Sequence, residues 1–326
     1  MGRLEKGKLP EALLSPFLSG LKGDAARLTT PPAVGEDTGA AELGNGNLLV
    51  YTSDPITFSA KRIGRASVII NANDIATSGG KPGWYLATLL VPPGTPVPQV
   101  QAILNDIAQT CSSFGISLAG GHTEISDAVT RPVVSGTMFS IIRKERYINK
   151  KNAGAGDTVL VTKTAGLEGA ALLAEEAGEK LVHEGLSIEE IDQARGFFDE
   201  ISIVKEAGIA VKAGGVTAMH DVTEGGVATA LRELSAASGR ELACRNEAIP
   251  IHPLTRKICA ALEIDPFGLL GSGSLLICCK EEASASIIHA LRKAGIEGAA
   301  VGTLGKQGVC SPDLPEFPVD EITKVL

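Results

Sequence analysis

The chain consists of short apolar runs separated by glycine-rich turns, and this pattern occurs in two successive sets. The first set has four runs with the length and apolar content of β-strands, at residues 47–52, 84–91, 116–120 and 132–142. Between the second and third runs, apolar residues recur at helical spacing from Val97 to Cys111. Strands that alternate with a helical segment in this way predict an α/β domain.

The second set follows a polar, glycine-containing segment at 149–156. Its strand-like runs lie at residues 157–162, 215–219, 274–279 and 298–304. Helical spacing extends from Val227 to Ala237 and stops before Gly239, a residue type that commonly ends helices. Because 326 residues are many for a single hydrophobic core, we predict two α/β domains, at residues 1–150 and 151–326.

The charge balance argues against a nucleic-acid partner. The chain has 30 basic and 38 acidic residues, a net charge of −8, whereas a phosphate-binding surface needs clustered lysine and arginine. Aromatic residues make up only 4% of the chain, too few for a series of base-stacking platforms. The dense basic stretch at residues 143–151 is predicted to be a solvated strand end followed by a linker.

Cysteine usage and hydropathy indicate the compartment. The six cysteines show no C-x-x-C spacing and are predicted to be buried free thiols, at Cys111, Cys244, Cys259, Cys278, Cys279 and Cys310. This favours a reducing environment over a disulfide framework. No apolar run approaches the ~18 residues of a membrane span, and no signal-peptide core opens the chain. The sequence therefore predicts a cytoplasmic protein without a membrane partner.

Acidic residues and glycines recur at the predicted ends of strands and helices in the first half. Asp37 lies in GEDTGA, Asp54 follows a predicted strand, and Asp74 lies in NANDIATSGGKP. Mg²⁺ prefers oxygen ligands, and glycine pairs such as the one in AGGHTEI let backbone N–H groups approach phosphates. Neither a Walker A motif nor a G-x-G-x-x-G after a strand occurs. From these residues alone, an ordinary acidic turn at GEDTGA stays open as the alternative.

The segment HDVTEGGVA places polar groups between a strand and a helix of the second half. His220, Asp221 and Thr223 precede Gly225 and Gly226, which open the predicted helix. Thr223 or Asp221 would serve as the N-cap of that helix. An exposed helix N-terminus with glycines also binds anions. The two interpretations are compatible, so both stay open.

The order and spacing of these motifs resemble those of the AIR synthase (PurM-like) superfamily. This ATP-dependent group includes AIR synthetase, selenophosphate synthetase, thiamine monophosphate kinase and the hydrogenase maturation protein HypE. NANDIATSGGKP resembles its N-D-[IL]…G-A-x-P signature, AGGHTEI its G-G-[EDH]-[ST] loop, and HDVTEGGVATAL its H-D-x-[ST]-x-G-G-[LV]-A helix start. The resemblance extends from about residue 30 to about residue 305 and is greatest to HypE-like members.

The resemblance implies a fold, a cofactor and an oligomeric state. The fold would be a two-domain PurM-like α/β (α+β) architecture with a C-terminal α/β domain. The amino-terminal domains of a homodimer would share a β-barrel at their interface. ATP and Mg²⁺ would bind at that interface, and the second domain would contribute to the acceptor site.

The resemblance also implies a set of site residues. The Mg²⁺ ligands would be Asp37, Asp54 and Asp74. The residues that line ATP would be Asn73, Gly120, Gly121, Thr123, Glu124, Thr223, Gly225 and Gly226. His220 or Asp221 would transfer a proton, and a capping or buried polar role is the equal alternative for His220.

The chain departs from the family pattern in three respects. His122 stands where related enzymes have an acid; because imidazole is a poor Mg²⁺ ligand, either Glu124 would replace it or the site would hold one metal fewer. The reactive amino-terminal cysteine or selenocysteine of selenophosphate synthetase is missing. The carboxyl-terminal cysteine on which HypE carries its carbamoyl group is also missing, so the resemblance alone does not extend to cyanation.

The predicted function is Mg²⁺–ATP-dependent phosphorylation of an amide or carboxamide oxygen, in hydrogenase maturation. The acceptor would be a small molecule or a protein-borne group, and a maturation partner protein would be involved. One alternative is a small-molecule kinase of the thiamine monophosphate kinase type, against which HDVTEGG argues because that kinase has D-[IV]-S-D-G-L. The other alternative is a nucleotide-binding maturation partner without turnover.

Overall fold

The computed structural model describes residues 7–21, 27–57, 61–308 and 314–326. The chain forms two compact units, each with one β-sheet. The six-stranded unit comprises Asp24–Pro31 and Asp37–Tyr147; the five-stranded unit comprises Met1–Gly23, Pro32–Glu36 and Ile148–Leu326. Both units are therefore built from separated segments of the chain, and the division at residue 150 stays a prediction.

Helices and strands alternate along most of the described chain. The helices are α1 (Glu11–Ser19), α2 (Ile63–Thr77), α3 (Val97–Phe114), α4 (Leu167–Glu176), α5 (Gly178–His183), α6 (Ile188–Gly196), α7 (Val204–Ala213), α8 (Gly226–Ser238), α9 (Pro253–Leu262) and α10 (Glu281–Lys293). The strands are β1 (Leu28–Thr30), β2 (Gly39–Gly44), β3 (Asn47–Ile56), β4 (Trp84–Val91), β5 (Ser117–Ile125), β6 (Val133–Arg143), β7 (Thr158–Thr162), β8 (Val216–Asp221), β9 (Arg240–Cys244), β10 (Leu275–Cys279) and β11 (Gly298–Gln307).

The sheet of the six-stranded unit has the order β1-β2-β3-β6-β4-β5. All neighbours pair antiparallel except β4 and β5, which are parallel and connected through α3. Helix α2 packs against β3, β6 and α3. Every residue of α2 except Arg65 is buried, so this helix has no solvated face and its polar side chains lie inside the unit.

Strand β5 is the edge strand of this sheet, and all nine of its residues are exposed. The prediction that a strand ends at Gly120 is wrong, because β5 continues to Ile125. Gly120 and Gly121 have φ values of 154° and 151°, a backbone conformation that side-chain-bearing residues rarely adopt. In that conformation Gly121 continues the ladder opposite Ala87 of β4. The glycine pair therefore extends the strand where a turn was expected.

The sheet of the five-stranded unit has the order β8-β10-β7-β11-β9 and is antiparallel throughout. Its core contains the apolar face of α8, which ends at a left-handed Gly239 as the sequence predicts. Cys111, Cys259, Cys278 and Cys279 are buried and form no disulfide, as predicted. Cys244 is also free, but it is only half-buried, so its predicted burial is wrong, and Cys310 lies outside the described residues. No helix within the described segments is long and apolar enough to cross a membrane.

Candidate functional site

Strand β3 and helix α2 face each other, and we call their line of contact, at Thr52, Asp54, Asn71 and Asp74, the β3–α2 seam. Two of the predicted metal ligands, Asp54 and Asp74, lie on these facing elements. Thr52 of β3 donates its hydroxyl hydrogen to Oδ2 of Asp74 on α2, at 2.7 Å in a buried position. Asp54 is two residues further along β3, on the same face as Thr52, and is half-buried. The Asp54 carboxylate forms no hydrogen bond or ion pair with any residue that the structure describes. Its oxygens are therefore available to a ligand.

The other predicted residues of this unit occupy different surroundings. Asp37 is half-buried and precedes β2. Asn73 has no exposed surface, so its direct contact with a nucleotide would require α2 to move. Among the described residues of the six-stranded unit, no three carboxylate, imidazole or thiolate ligands lie within 4.8 Å of one another. A cation bound there would take further oxygen ligands as well, such as those that Mg²⁺ commonly takes from phosphates and water.

The predicted phosphate-lining residues of β5 lie on an accessible surface. Gly120, Gly121, Thr123 and Glu124 are all exposed within the edge strand. His122 and Glu124 point to the same face of the strand, and His122 Nε2 lies 3.4 Å from Glu124 Oε2. The His122 imidazole is therefore accompanied by a carboxylate two residues later.

In the five-stranded unit, His220 is part of a polar chain that links Lys8, Glu233, His220 and Lys150. The chain is buried at His220 and Lys150 and reaches the surface at Lys8. His220 Nδ1 lies 2.9 Å from Lys150 Nζ, and His220 Nε2 lies 3.1 Å from Glu233 Oε2. Lys150 also donates to the carbonyl oxygen of Gly35. At the other end of the chain of contacts, Lys8 Nζ donates to Glu233 Oε1 at 3.1 Å.

These partners define the protonation of His220. An ammonium group only donates, so Nδ1 must accept the hydrogen bond from Lys150. The remaining ring proton then lies on Nε2 and is donated to Glu233. His220 is therefore a neutral imidazole whose two nitrogens are both engaged. It could accept a proton on Nδ1 only if Lys150 moved away.

Glu233 is the charged partner that stabilises this arrangement. Burial alone would raise its pKa, but the hydrogen bond from His220 and the positive charge of Lys8 outweigh burial. The pKa of Glu233 falls from 4.5 to about 2. Its carboxylate is thus ionised near neutral pH and holds the Nε2 proton of His220.

The turn that follows β8 is bound by the chain's own carboxyl-terminal segment. The N-cap of α8 is Gly225 in a left-handed conformation, with no side-chain cap. The prediction of Thr223 or Asp221 as N-cap is therefore wrong, because the helix begins after both. Gly225 N–H donates to Asp320 Oδ2 at 2.6 Å, and Gly226 N–H donates to the Thr223 carbonyl at 3.1 Å.

Asp320 thus occupies the anion position at the N-terminus of α8. Its Oδ1 also accepts from the backbone N–H of Leu270 at 3.2 Å and of Ile322 at 2.9 Å. Burial raises the pKa of Asp320 to about 6, against the opposing effect of these hydrogen bonds. A phosphate contact of Gly225, which stays a prediction, would have to displace this carboxylate.

Sequence reasoning missed several residues of these networks. The prediction of a solvated linker at 143–151 is wrong at Lys150, which is only 4% exposed. Lys8 and Glu233 are separated by 225 positions, so no local pattern could pair them. Asp320 caps a turn 95 positions away. Local motif spacing carried no signal for these contacts.

The two α/β units, the acidic residues where β3 faces α2 and the glycine-containing edge strand β5 are those of a two-domain PurM-like protein. The chain belongs to the AIR synthase related family. Residues 35–142 match the family's N-terminal domain, and residues 154–313 match its C-terminal domain.

Two similar proteins align with most of the chain. Carbamoyl dehydratase HypE of Escherichia coli is 27% identical over 306 residues, covering 93% of this chain and 86% of that protein. A putative hydrogenase expression/formation protein of Methanocaldococcus jannaschii is 28% identical over 245 residues, covering 74% of this chain and 70% of that protein.

Solved structures share the fold at lower identity. A chain of the HypE–HypF complex has a TM-score of 0.73 at 20% identity, covering 90% of this chain and 93% of that one. HypE in complex with ATP has a TM-score of 0.67 at 20% identity, covering 81% and 79%. AaThiL complexed with AMPPCP and TMP has a TM-score of 0.69 at 18% identity, covering 87% and 89%.

Proposed function

We propose that this protein is a Mg²⁺–ATP-dependent enzyme of the carbamoyl dehydratase type, which phosphorylates a carboxamide oxygen in hydrogenase maturation. The observation that carries the proposal is the β3–α2 seam, where Asp54 and Asp74 lie on facing elements and the Asp54 carboxylate is available. Relatives named as carbamoyl dehydratases and a fold neighbour in complex with ATP support it.

The donor chemistry of the seam fits a divalent cation. Asp54 and Asp74 offer carboxylate oxygens, and Mg²⁺ typically takes one or two carboxylates together with phosphates and waters. Asp37 would supply a further carboxylate. Bound Mg²⁺ would neutralise the phosphate charge that develops during phosphoryl transfer. The nucleotide phosphates would lie along β5, where Gly120, Gly121, Thr123 and Glu124 are accessible.

The proposed reaction turns the carboxamide oxygen into a leaving group. The oxygen attacks the γ-phosphorus, the bond to ADP breaks, and a proton leaves the nitrogen. Loss of inorganic phosphate and of the second nitrogen-bound proton then gives a nitrile, so one water equivalent is removed for each ATP. Positioning and charge neutralisation supply most of the catalysis in such transfers.

A proton acceptor is needed, and Asp221 is our candidate in the five-stranded unit. Both ring nitrogens of His220 are already engaged, by Lys150 and by Glu233. We therefore propose that His220 holds Lys150 in place and does not itself take the proton. Of His220 and Asp221, the two proton-transfer candidates from the sequence, we therefore retain only Asp221. Thr223, Gly225 and Gly226 stay proposed nucleotide contacts.

We also propose that two chains form a homodimer through β5. The strand is an edge with every residue exposed, including apolar Leu118 and Ile125. An exposed edge strand presents unpaired backbone groups that readily pair with another chain. Joining two such sheets would create the shared barrel of the family. The HypE–HypF complex of a fold neighbour supports a maturation partner protein as well.

The test is a turnover assay with ATP, Mg²⁺ and a peptide that carries an S-carbamoyl cysteine. The proposal predicts acceptor-dependent release of ADP and phosphate, with loss of one water from the peptide by mass spectrometry. Thiamine monophosphate serves as the competing acceptor, and its phosphorylation would overturn the proposal in favour of the kinase. Tight nucleotide binding without any turnover would overturn it in favour of a non-catalytic partner.

A further inference from the structure

Asn71 of α2 is completely buried and contacts the main chain of Asp54 at two atoms. Its Oδ1 accepts from the Asp54 N–H at 3.1 Å, and its Nδ2 donates to the Asp54 carbonyl at 3.3 Å. Nδ2 also donates to the Ser67 carbonyl one turn earlier in α2, at 2.8 Å. The carboxamide therefore forms hydrogen bonds both within its own helix and with one residue of the neighbouring strand.

The opposite strand leaves room for this contact. Asp54 pairs with Gly136 of β6. A Cβ atom at Gly136 would lie 2.5 Å from Nδ2 of Asn71 and 2.5 Å from the Tyr85 hydroxyl, closer than real Cβ contacts. Glycine at 136 thus permits the Asn71 carboxamide to lie over the pairing of β3 with β6.

Hydrogen bonds at two positions therefore connect β3 and α2, the elements that carry Asp54 and Asp74. Asn71 and Asp74 are one helical turn apart on α2, and Thr52 and Asp54 are two residues apart on β3. Asn71 binds the main chain of Asp54, and Thr52 binds the carboxylate of Asp74. Functional groups at a metal site need support that holds them within about 0.5 Å of their productive positions.

We infer that Asn71 is a positioning residue for Mg²⁺: it fixes the backbone of Asp54 so that the free carboxylate is presented at the seam. Asn71 itself does not contact the metal. The inference rests on the proposed function, since it requires Asp54 to be a ligand. Groups that orient metal ligands typically change metal affinity by about 10- to 100-fold when they are removed.

The test measures the Mg²⁺ concentration needed for ATP binding, by calorimetry, in wild type, Asp54→Ala, Asn71→Ala and Ser67→Ala. Ser67 is the matched control, because it is equally buried on α2 and its hydroxyl donates to the Gly64 carbonyl of the same helix at 2.8 Å. We expect Asn71→Ala to raise the required Mg²⁺ by about 10-fold or more. Ser67→Ala should lower thermal stability without moving the Mg²⁺ requirement.

A second variant keeps the inference testable if Asn71→Ala folds poorly. Gly136→Ala retains Asn71 but places a methyl group too close to its Nδ2. We expect this variant, like Asn71→Ala, to need a higher Mg²⁺ concentration for ATP binding. Hydrogen exchange at the Asp54 amide should accelerate in both variants. This measurement detects loss of the hydrogen bond between Asp54 and Asn71 without any bound ligand.

The outcomes separate this inference from the proposed function. An unchanged Mg²⁺ requirement in Asn71→Ala, beside a lost one in Asp54→Ala, would overturn the positioning role alone. An unchanged requirement in Asp54→Ala would overturn the ligand assignment and, with it, the positioning role. No Mg²⁺-dependent binding in the wild type would overturn the proposed function itself.

Discussion

Glu233 is the negatively charged residue of the polar chain that links Lys8, Glu233, His220 and Lys150. Its carboxylate accepts from His220 and pairs with Lys8, and these partners keep its pKa near 2 in the folded protein, against an ordinary value of 4.5. A carboxyl group with a lowered folded pKa stabilises the fold at pH above the unfolded value. That contribution is lost as the pH falls through the folded value.

We predict that Glu233→Gln removes this pH dependence. The free energy of unfolding of the wild type should exceed that of the variant near neutral pH, and the difference should shrink between about pH 5 and about pH 2. Urea unfolding at a series of pH values measures both curves. Titrating groups that do not contact Glu233 contribute nearly equally to both proteins, so they cancel in the difference. Parallel curves would show that the His220 and Lys8 contacts do not stabilise the ionised form.

At the scale of elements, the turn before α8 shows how a helix is capped without a local capping residue. Gly225 adopts a left-handed conformation, and its N–H is satisfied by Asp320 from the carboxyl-terminal segment. The same carboxylate satisfies the N–H of Leu270. Asp320 therefore joins the start of α8 to the residues before β10.

We predict that Asp320→Ala lowers the free energy of unfolding by about 1–3 kcal/mol, the usual effect of leaving buried donors unsatisfied. Glu316→Ala is the control, because Glu316 is an exposed acid of the same segment that pairs with Arg232 at the surface. That change should have an effect below about 1 kcal/mol. Chemical denaturation of both variants provides the comparison. Equal effects would mean that the Asp320 contacts contribute no more than a surface ion pair.

Most of the described strands could be predicted from the sequence, whereas among the helices only α3 and α8 were, and the failures have physical causes. Strand β4 and the start of α3 occur where apolar periodicity places them. Strands β3 and β5 extend further than predicted, because Asp54 and the Gly120–Gly121 pair read locally as turn residues. Ladder pairing with β6 and β4 overrides that local preference. Acidic segments could be identified in advance, but the partners Asn71, Lys150 and Asp320 could not, since each acts across the chain.

For the whole molecule, the exposed edge of β5 carries a prediction about assembly. We expect Leu118→Asp, which places a charge on β5, to convert a dimer into a monomer. Leu104→Asp is the matched control: Leu104 lies on α3 and is 42% exposed, against 48% for Leu118. Analytical ultracentrifugation over a concentration series measures the change. A wild type that is monomeric, or a dimer that persists in Leu118→Asp, would contradict the proposed interface.

The central claim is that the β3–α2 seam binds Mg²⁺ together with ATP. The most direct measurement is titration calorimetry with ATP, in the presence and absence of Mg²⁺, on wild type, Asp74→Asn and Thr52→Val. Asp74→Asn retains an acceptor for the Thr52 hydroxyl but loses the charge, whereas Thr52→Val loses that hydrogen bond and retains the carboxylate. We predict Mg²⁺-dependent binding in wild type, Mg²⁺-dependent binding that needs a higher Mg²⁺ concentration in Thr52→Val, and no Mg²⁺-dependent binding in Asp74→Asn. Equal binding in all three proteins, or binding that ignores Mg²⁺, would contradict the claim.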